Sequence, residues 1–223
     1  MLTAYDWPVT IGFIVIAYLI GSIPMSLIVG KITKGVDIRD YGSGNPGTTN
    51  AVRVLGRKLG LLVFLLDVLK GGVTILLARF WIDVSFEVFH PLFYGFITVL
   101  GHIFSLFLRF KGGRGVATSV GIFLFYAPLI GVIGLLGFLI GLRLTHYVSV
   151  GSLSGASAVL LICIATYIVG FDDSGLSGVL LGMHDLWLPI IALIGVSLIF
   201  YRHRTNIKRL KNGTEPKANI FRK

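Results

Sequence analysis

The chain has 223 residues, of which 55% are apolar and only 13% are charged, and its formal net charge is +10. Soluble globular domains carry about 25% charged residues, so this composition excludes an ordinary water-soluble fold. It predicts one integral membrane domain, residues 1–223, without a separate soluble domain.

Apolar segments long enough to cross a bilayer recur along the chain. A spanning helix needs roughly 20 apolar residues to cover about 30 Å of hydrocarbon. The segment 116–142 is too long for one crossing and is interrupted by Pro128, so we expect two short spans that join there. Together with five others, these spans predict seven transmembrane helices. The other five are residues 9–30, 59–78, 91–108, 154–169 and 186–201.

Lysine and arginine set the predicted orientation, because cytoplasmic loops carry an excess of these residues. Seven crossings place all the short, polar, glycine-rich loops and the tail on the cytoplasmic side, which leaves only Lys70 and Arg79 elsewhere. Six crossings would export a tail with eight lysines and arginines. The sequence therefore predicts an all-α membrane protein with its N-terminus outside and its C-terminus cytoplasmic. Its cytoplasmic segments are 31–58, 109–115, 143–152 and the tail from 202.

The first cytoplasmic loop combines glycines with hydroxyl, amide and guanidinium groups. Glycine permits backbone conformations in which N–H groups converge on an anion, and the polar side chains add directional bonds. A phosphate would fit such a loop. The simpler interpretation is a turn-rich connector in which Thr48 or Thr49 caps a short helix through Arg53. The loop reads Gly42-Ser43-Gly44-Asn45-Pro46-Gly47-Thr48-Thr49-Asn50.

The second loop, residues 109–115, places three cations and three glycines between two spans. It lacks the Gly-x4-Gly-Lys-Ser/Thr spacing of a nucleotide-binding P-loop, so an ATPase is a weak interpretation. A basic turn that only fixes the topology is the simpler alternative. Its sequence is Arg109-Phe110-Lys111-Gly112-Gly113-Arg114-Gly115.

The remaining polar segments are the 143–152 junction, which contains Ser149, and the tail that begins with His203 and Asn206. If the tail is helical, His203 and Asn206 share one face. A solvated basic tail is the alternative. Within the second span, Asp67 and Lys70 are three residues apart, and we expect them to form an ion pair because isolated charges are costly at membrane depth.

Metal chemistry has no support in the pattern of residues. The five histidines are scattered and the single cysteine, Cys163, lies in an apolar span. We therefore expect catalysis without a metal or another cofactor. No nucleophile and base form an obvious triad, and no histidine is followed five residues later by aspartate, the pattern of acyltransferases that use thioesters.

At this point the motifs resemble one family, the bacterial acyl-phosphate:glycerol-3-phosphate acyltransferases known as PlsY. Three differences from the family pattern are Thr48 where alanine is usual, Ser105 in place of a common proline, and Arg114 in place of lysine. None removes a group that we assign to the chemistry. The resembling segments are Gly21 to Pro24, Asp37 to Arg53, Asp67 to Gly71, Gly101-His102 with Phe107 to Thr118, Tyr147 to Leu153, and His203 to Lys217.

The resemblance implies transfer of a fatty acyl group from acyl phosphate to the 1-hydroxyl of sn-glycerol 3-phosphate, the first acylation of phospholipid synthesis. The products would be lysophosphatidic acid and phosphate. It also implies an enzyme of the bacterial cytoplasmic membrane whose active site faces the cytoplasm. The expected partners are the two substrates and membrane lipids, with no nucleic acid and no requirement for an oligomer.

The resemblance also carries roles to individual residues. Arg53, Lys111 and Asn206 would hold the glycerol phosphate, Ser43 and Ser149 would donate hydrogen bonds, and Gly112 and Gly113 would receive the acyl-phosphate headgroup. His203 and the substrate's own phosphate remain alternative acceptors for the hydroxyl proton. The predicted catalytic residues are His203, Asn206, Ser43 and Lys111, and the predicted binding residues are Arg53, Asn45, Asn50, Gly112, Gly113, Gly115, Arg114 and Ser149.

Two other classes of function stay open. A transporter for small anions would use the basic loops as entrances, although transporters usually bind near the midplane between repeated helices. A metal-dependent lipid-phosphate transferase is the other, and EDTA would distinguish it. The preferred acyl length, the oligomeric state and the product exit route are not defined by the sequence.

Overall fold

A computed structural model describes residues 7–80, 89–169 and 185–218, and these residues are helical with connecting turns. They divide into two compact units between Phe125 and Tyr126. The first unit contains two 3-10 turns, Ile38–Asp40 and Leu106–Leu108. Its α-helices are α1 (Trp7–Ser22), α2 (Met25–Lys34), α3 (Thr48–Leu55), α4 (Arg57–Phe80), α5 (Pro91–Ile103) and α6 (Val116–Tyr126), the last of which ends at the boundary.

Among the residues that the structure describes, the second unit contains four helices and the tail that follows them. A single residue, His203, separates its last long helix from a short basic helix. The helices are α7 (Pro128–Thr145), α8 (Val148–Val169), α9 (Trp187–Arg202) and α10 (Arg204–Lys211).

The apolar helices agree with the expected positions of the membrane spans. Within residues 7–80, 89–169 and 185–218, four helical segments are long and apolar enough to cross a bilayer, and a fifth is counted if α1 and α2 form one bent span. The shorter apolar helices α6 and α9 coincide with two further predicted spans. The number of crossings and the orientation therefore stay predictions, whereas the all-helical architecture is confirmed.

The first predicted span is not continuous. The helix breaks at Ile23 and Pro24, and α1 and α2 meet at an angle of 42°. Proline has no N–H to donate and disfavours helical geometry in the residue before it, which accounts for the break. The Ile23 carbonyl at the break accepts a hydrogen bond from Lys70 Nζ at 3.2 Å. Such a partner satisfies a backbone group that a continuous helix would have satisfied itself.

The predicted break at Pro128 is confirmed. Helix α6 ends at Tyr126 and α7 begins at Pro128, with Ala127 between them. Proline is favourable in the first turn of a helix because its missing N–H would have had no partner there. The 116–142 segment is thus two helices, as its length required.

Small residues join α7 to α8 within the second unit. A Cβ added at Gly141 would lie 3.1 Å from the Gly151 Cα, and one at Gly137 would lie 3.2 Å from the Gly155 Cα. Membrane helices that associate through van der Waals contact need such residues because they let the backbones approach closely. This seam sets the position of the N-terminal turn of α8, which carries Ser149.

Candidate active site

The first polar loop is built around the side chain of Asn50. Its amide nitrogen donates to the carbonyls of Ile38 and Tyr41, at 2.7 and 3.1 Å, and its amide oxygen accepts from the Ser43 N–H at 2.9 Å. The side chain is fully buried, with 0% exposure. Because three bonds to the backbone occupy it, Asn50 fixes the loop. The predicted contact of Asn50 with substrate stays untested.

Gly42 shows why this loop requires glycine. Its φ is +62°, a conformation that residues with a Cβ rarely adopt, and an added Cβ would also overlap the Asn50 amide oxygen. Gly42 therefore admits the Asn50 side chain beneath the loop, next to Ser43.

An ion pair holds the start of the same loop. The Asp37 carboxylate caps the 3-10 turn by accepting from the Arg39 N–H and pairs with the Arg39 guanidinium at 2.7 Å. The side-chain hydrogen bond from Arg39 lowers the pKa of Asp37 below its usual value. Asp37 thus stays ionised at neutral pH and fixes the turn that leads to Tyr41.

The predicted substrate groups of this loop lie at the surface. Ser43 and Arg53 are exposed, and Asn45 is half-buried. Arg53 lies in α3, whose N-cap is Gly47 without a side-chain capping bond, so the alternative in which Thr48 or Thr49 caps this helix is wrong. The short helix itself was expected.

The glycines of the second loop contact α5. The Gly112 N–H donates to the Ile103 carbonyl and the Gly113 N–H donates to the His102 carbonyl, each at 3.0 Å. A Cβ at Gly112 would overlap the His102 carbonyl oxygen, and one at Gly113 would overlap His102 Nε2. Their backbone donors are therefore engaged within the protein. The glycines allow close packing against α5, and the predicted contact of Gly112 and Gly113 with the acyl-phosphate headgroup stays a prediction.

The charged groups of the second loop flank these glycines. Lys111 is exposed and Arg114 is half-buried. Two residues before Gly112, Phe110 has a φ of +62°, and Arg109 has a φ of +51°. Left-handed backbone at consecutive non-glycine residues is unusual, and this turn sets the course of the backbone that leads to Lys111. Gly115, with a φ of +85°, precedes α6.

The expected ion pair between Asp67 and Lys70 is confirmed, with Lys70 Nζ 2.8 Å from Asp67 Oδ1. The structure adds His102, whose Nδ1 lies 2.8 Å from the same nitrogen. All three side chains are buried. Nothing in the linear spacing pointed to His102, because it belongs to another helix.

A small cavity of about 10 Å³ connects this buried cluster to both loops. Pro46 of the first loop and Gly113 of the second loop both line it, together with Asp67, Lys70 and His102. A space of roughly this size holds about one water molecule. Within the first unit, the structure therefore brings the two predicted loops to one polar centre.

In the second unit, His203 is buried, with 1% exposure, at the junction of α9 and α10. Its Nδ1 lies 2.8 Å from the Ile199 carbonyl oxygen. A carbonyl can only accept, so Nδ1 carries a proton. In the neutral ring Nε2 is then the unprotonated nitrogen, which is the form that can act as a base.

Asn206, one turn later, is held by Glu215. The Asn206 amide nitrogen donates to Glu215 Oε1 at 2.7 Å, and Glu215 Oε2 lies 3.1 Å from Arg209 Nε. Glu215 is 8% exposed although it follows a basic helix. This carboxylate joins the tail to α10. We did not assign it a role from the sequence, and its position shortly after Gly213 was the available signal.

The tail then returns to the junction between α7 and α8. The Ala218 N–H donates to the His146 carbonyl at 2.7 Å, and Lys217 Nζ lies 5.9 Å from the centre of the Tyr147 ring. Ser149 follows two residues later in α8. The tail is thus folded against the segment that carries Ser149, contrary to the alternative of a simply solvated basic tail.

Ser149 Oγ and Asn206 Oδ1 are among the buried side-chain atoms of this unit that have no hydrogen-bond partner in the part of the chain that the structure describes. Their residues are 2% and 3% exposed. Buried polar groups are nearly always hydrogen-bonded, so these two atoms are candidates for contact with a ligand. Both belong to residues that the sequence singled out for binding or catalysis.

Sequence comparison identifies relatives over almost the whole chain. A family model described as glycerol-3-phosphate acyltransferase matches residues 11–213. A glycerol-3-phosphate acyltransferase of Bacillus subtilis (strain 168) is 47% identical over 206 residues, which cover 92% of this chain and 95% of the relative. One of Listeria monocytogenes serotype 4a (strain HCC23) is 44% identical over 203 residues, covering 91% and 93%.

Two solved structures have the same fold. Both are crystal structures of PlsY (YgiH), an integral membrane glycerol 3-phosphate acyltransferase, one in its glycerol 3-phosphate form and one in its lysophosphatidic acid form. They match with TM-scores of 0.76 and 0.75 at 35% sequence identity. Each match covers 93% of this chain and 94% of the other.

Proposed function

The chain belongs to the glycerol-3-phosphate acyltransferase family, and from this membership we propose that it transfers a fatty acyl group from acyl phosphate to the 1-hydroxyl of sn-glycerol 3-phosphate. It is an acyltransferase and an integral membrane protein. The observation that carries the proposal is the 35% identity, over 93% of this chain, to an acyltransferase solved in glycerol 3-phosphate and lysophosphatidic acid forms.

The reaction balances without a covalent enzyme intermediate. The hydroxyl oxygen of glycerol 3-phosphate attacks the acyl carbon and forms the ester bond. The bond from this carbon to the phosphate oxygen breaks, and inorganic phosphate leaves with the bonding electrons. The hydroxyl proton passes to a base. Since acyl phosphate is already an activated anhydride, correct positioning and stabilisation of charge supply what catalysis requires.

In the first unit, Arg53 and Lys111 bind the phosphate of glycerol 3-phosphate. Both are exposed, and guanidinium and ammonium groups form strong charge-assisted hydrogen bonds with phosphate. Ser43 donates from the loop that Asn50 fixes, and Asn45 lies two residues further along it. These roles need side chains that are reachable from water and held by a rigid backbone.

The acyl-phosphate headgroup binds at the second loop, chiefly through Arg114. The amides of Gly112 and Gly113 are bonded to α5, so the charge for this headgroup comes from side chains, while the glycines and Gly115 give the loop its shape. The acyl chain extends into the lipid-facing region. The second loop thus binds the charged headgroup of acyl phosphate at the water-facing side, while the acyl chain of the same substrate lies in the membrane.

In the second unit, Ser149 donates to a substrate oxygen, Asn206 Oδ1 accepts from a hydroxyl of glycerol 3-phosphate, and His203 accepts the hydroxyl proton through Nε2. Support comes from Ser149 Oγ and Asn206 Oδ1, which are buried and unpaired. It also comes from the hydrogen bond between His203 Nδ1–H and the Ile199 carbonyl, which leaves Nε2 as the unprotonated nitrogen of the neutral ring. The substrate's own phosphate is the competing base. Neither version requires a metal or another cofactor.

We further propose one membrane domain, residues 1–223, with seven crossings, the N-terminus outside and the C-terminus cytoplasmic. The bacterial relatives and the lysine and arginine distribution support the cytoplasmic membrane as its location and the cytoplasmic face as the side of the active site. Labelling of cysteines introduced at the exposed positions 111 and 205, next to residues 112 and 206, from the two sides of sealed vesicles tests this. Opposite accessibility would contradict the orientation.

The activity itself is tested with purified protein in detergent or nanodiscs. Palmitoyl phosphate and glycerol 3-phosphate together should yield inorganic phosphate and lysophosphatidic acid, and omission of glycerol 3-phosphate should abolish the lipid product. Turnover should continue in EDTA. Failure to form lysophosphatidic acid from this pair, or use of only a thioester donor, would overturn the proposal.

A further inference from the structure

The buried cluster of Asp67, Lys70 and His102 is not used by the reaction described above. Lys70 Nζ has three N–H donors, and three acceptors surround it. They are Asp67 Oδ1 at 2.8 Å, His102 Nδ1 at 2.8 Å and the Ile23 carbonyl at 3.2 Å. Lys70 Nζ thus forms an ion pair with Asp67 on its own helix and contacts two further groups, one on α5 and one at the break between α1 and α2.

This arrangement defines the state of the His102 ring. Lys70 can only donate, so Nδ1 accepts and the ring proton resides on Nε2. The charges of Asp67 and Lys70 already cancel, so a neutral ring leaves the buried cluster without net charge, as its environment favours. His102 is consequently held in one orientation and one tautomer by the ion pair.

The opposite side of the ring faces the second loop. A Cβ at Gly113 would overlap His102 Nε2, so glycine is needed for the loop to lie against the ring. The Gly113 N–H also donates to the His102 carbonyl. His102 thus contacts the loop through both its side chain and its backbone, at the point between Lys111 and Arg114.

We propose that His102 is a positioning residue. It holds the second loop, and with it Lys111 and Arg114, in the position that phosphate binding requires. The inference rests on the proposed function, because it assigns those two cations to the substrates. A buried ion pair contributes little net stability once its desolvation is counted. In this fold the Asp67 and Lys70 pair has a second effect, which is to hold the ring against Gly113.

The test measures KM for palmitoyl phosphate and for glycerol 3-phosphate, with kcat and the melting temperature, in His102→Ala. We expect KM for at least one phosphate substrate to rise about 10-fold or more, since small displacements of binding groups have large effects. Thr98→Val is the matched control on the same helix, because Thr98 is also buried and bonds to Ala17 and Thr74. It should lower the melting temperature with unchanged KM.

A purely structural role predicts a different result. It would reduce the amount of active enzyme and the melting temperature of His102→Ala while both KM values stay at the wild-type level, and this would overturn the inference. If His102→Ala does not fold, His102→Asn provides the same test. Its amide oxygen can accept from Lys70, but it leaves Gly113 without the ring, so the KM should still rise.

Gly113→Ala gives an independent test through steric complementation. Alone, its methyl group should collide with the ring and raise KM. In the His102→Ala background the space is vacant, so the additional effect of Gly113→Ala should largely vanish. Equal effects in both backgrounds would contradict the contact. Absence of wild-type turnover would instead refute the proposed function, whereas normal wild-type turnover with unchanged KM in the variants would refute only this inference.

Discussion

The amide oxygen of Asn50 accepts a hydrogen bond from the backbone N–H of Ser43 at 2.9 Å, which ties a helix residue to a loop residue seven positions earlier. The other end of the same amide donates to two carbonyls of the loop. Ser43 is therefore exposed but not loosely held. The buried Asn50 side chain thus sets the position of the Ser43 hydroxyl, which is the position that a substrate contact would require.

Replacement of Asn50 by aspartate should disrupt this loop with almost no change in size. A carboxylate cannot donate, so the carbonyls of Ile38 and Tyr41 would face oxygen atoms. Loss of each hydrogen bond costs about 1 kcal/mol, and unpaired buried groups cost more. We expect a lower melting temperature and at least about a 10-fold fall in kcat/KM. Asn212→Asp, at an exposed helix end, is the control, and equal behaviour of the two variants would contradict the scaffold role.

Replacement of Arg53 or Lys111 by alanine should mainly raise KM for glycerol 3-phosphate. Contacts to a phosphate that form equally in the ground state and the transition state affect KM more than kcat. Steady-state kinetics with varied glycerol 3-phosphate measure this. Lys58→Ala, an exposed cation in the first turn of α4, controls for the loss of surface charge. An unchanged KM in both variants would remove them from the glycerol-phosphate site.

Replacement of His203 by asparagine should lower kcat by about 100-fold or more if Nε2 is the base. The asparagine amide can still donate to the Ile199 carbonyl, so the junction between α9 and α10 keeps its buried hydrogen bond. Single-turnover measurements separate chemistry from substrate binding. Turnover near the wild-type rate in a folded variant would assign the proton to the substrate's phosphate.

Replacement of Glu215 by alanine should destabilise the second unit more than replacement by glutamine. Alanine leaves the Asn206 amide nitrogen without its acceptor, at a cost of about 1–3 kcal/mol. Glutamine keeps an oxygen for Asn206 and removes only the pairing with Arg209, which is partly exposed. Thermal unfolding measures the difference. Arg209→Gln should resemble Glu215→Gln, and an equal loss in the alanine and glutamine variants would contradict this division.

Acid should weaken the Asp37 and Arg39 pair. The pKa of Asp37 is lower in the folded protein than in the unfolded chain, so its contribution is complete above about pH 4 and is lost as pH falls through the folded pKa. Because Arg39 is 45% exposed, the contribution should stay below about 1 kcal/mol. The melting-temperature difference between wild type and Asp37→Asn should be constant from pH 7 to about pH 5 and shrink below about pH 4. A difference that persists in stronger acid would have another origin.

Hydropathy and proline positions predicted most of the helices. The break at Pro128 was predicted because the apolar segment 116–142 is too long for a single membrane crossing. The break at Pro24 was missed because residues 9–30 have the right length for one span, so length gave no reason to divide them. A proline in the middle of a span was the available signal, and its effect is local.

Site residues could be predicted where the groups that act together are close in the sequence. Glycine next to serine, asparagine and arginine marked the first loop, and the i, i+3 spacing marked Asp67 and Lys70. His102 was not assigned a role because its partner Lys70 lies on another helix. Glu215 was not assigned one because only the turn at Gly213 brings it back to Asn206 and Arg209. The contacts of Gly112 and Gly113 with α5 were not foreseen for the same reason. A glycine that turns a loop and a glycine that admits a neighbouring ring look alike until the neighbour is known.

The hydrogen bond from Lys70 to the Ile23 carbonyl joins groups that leave the ribosome 47 residues apart. The N-terminal helices are synthesised before α4, so Lys70 is absent when they first enter the bilayer. We expect the bend between α1 and α2 to reach its final geometry only when the lysine-bearing helix arrives. The order of synthesis thus becomes a constraint on assembly.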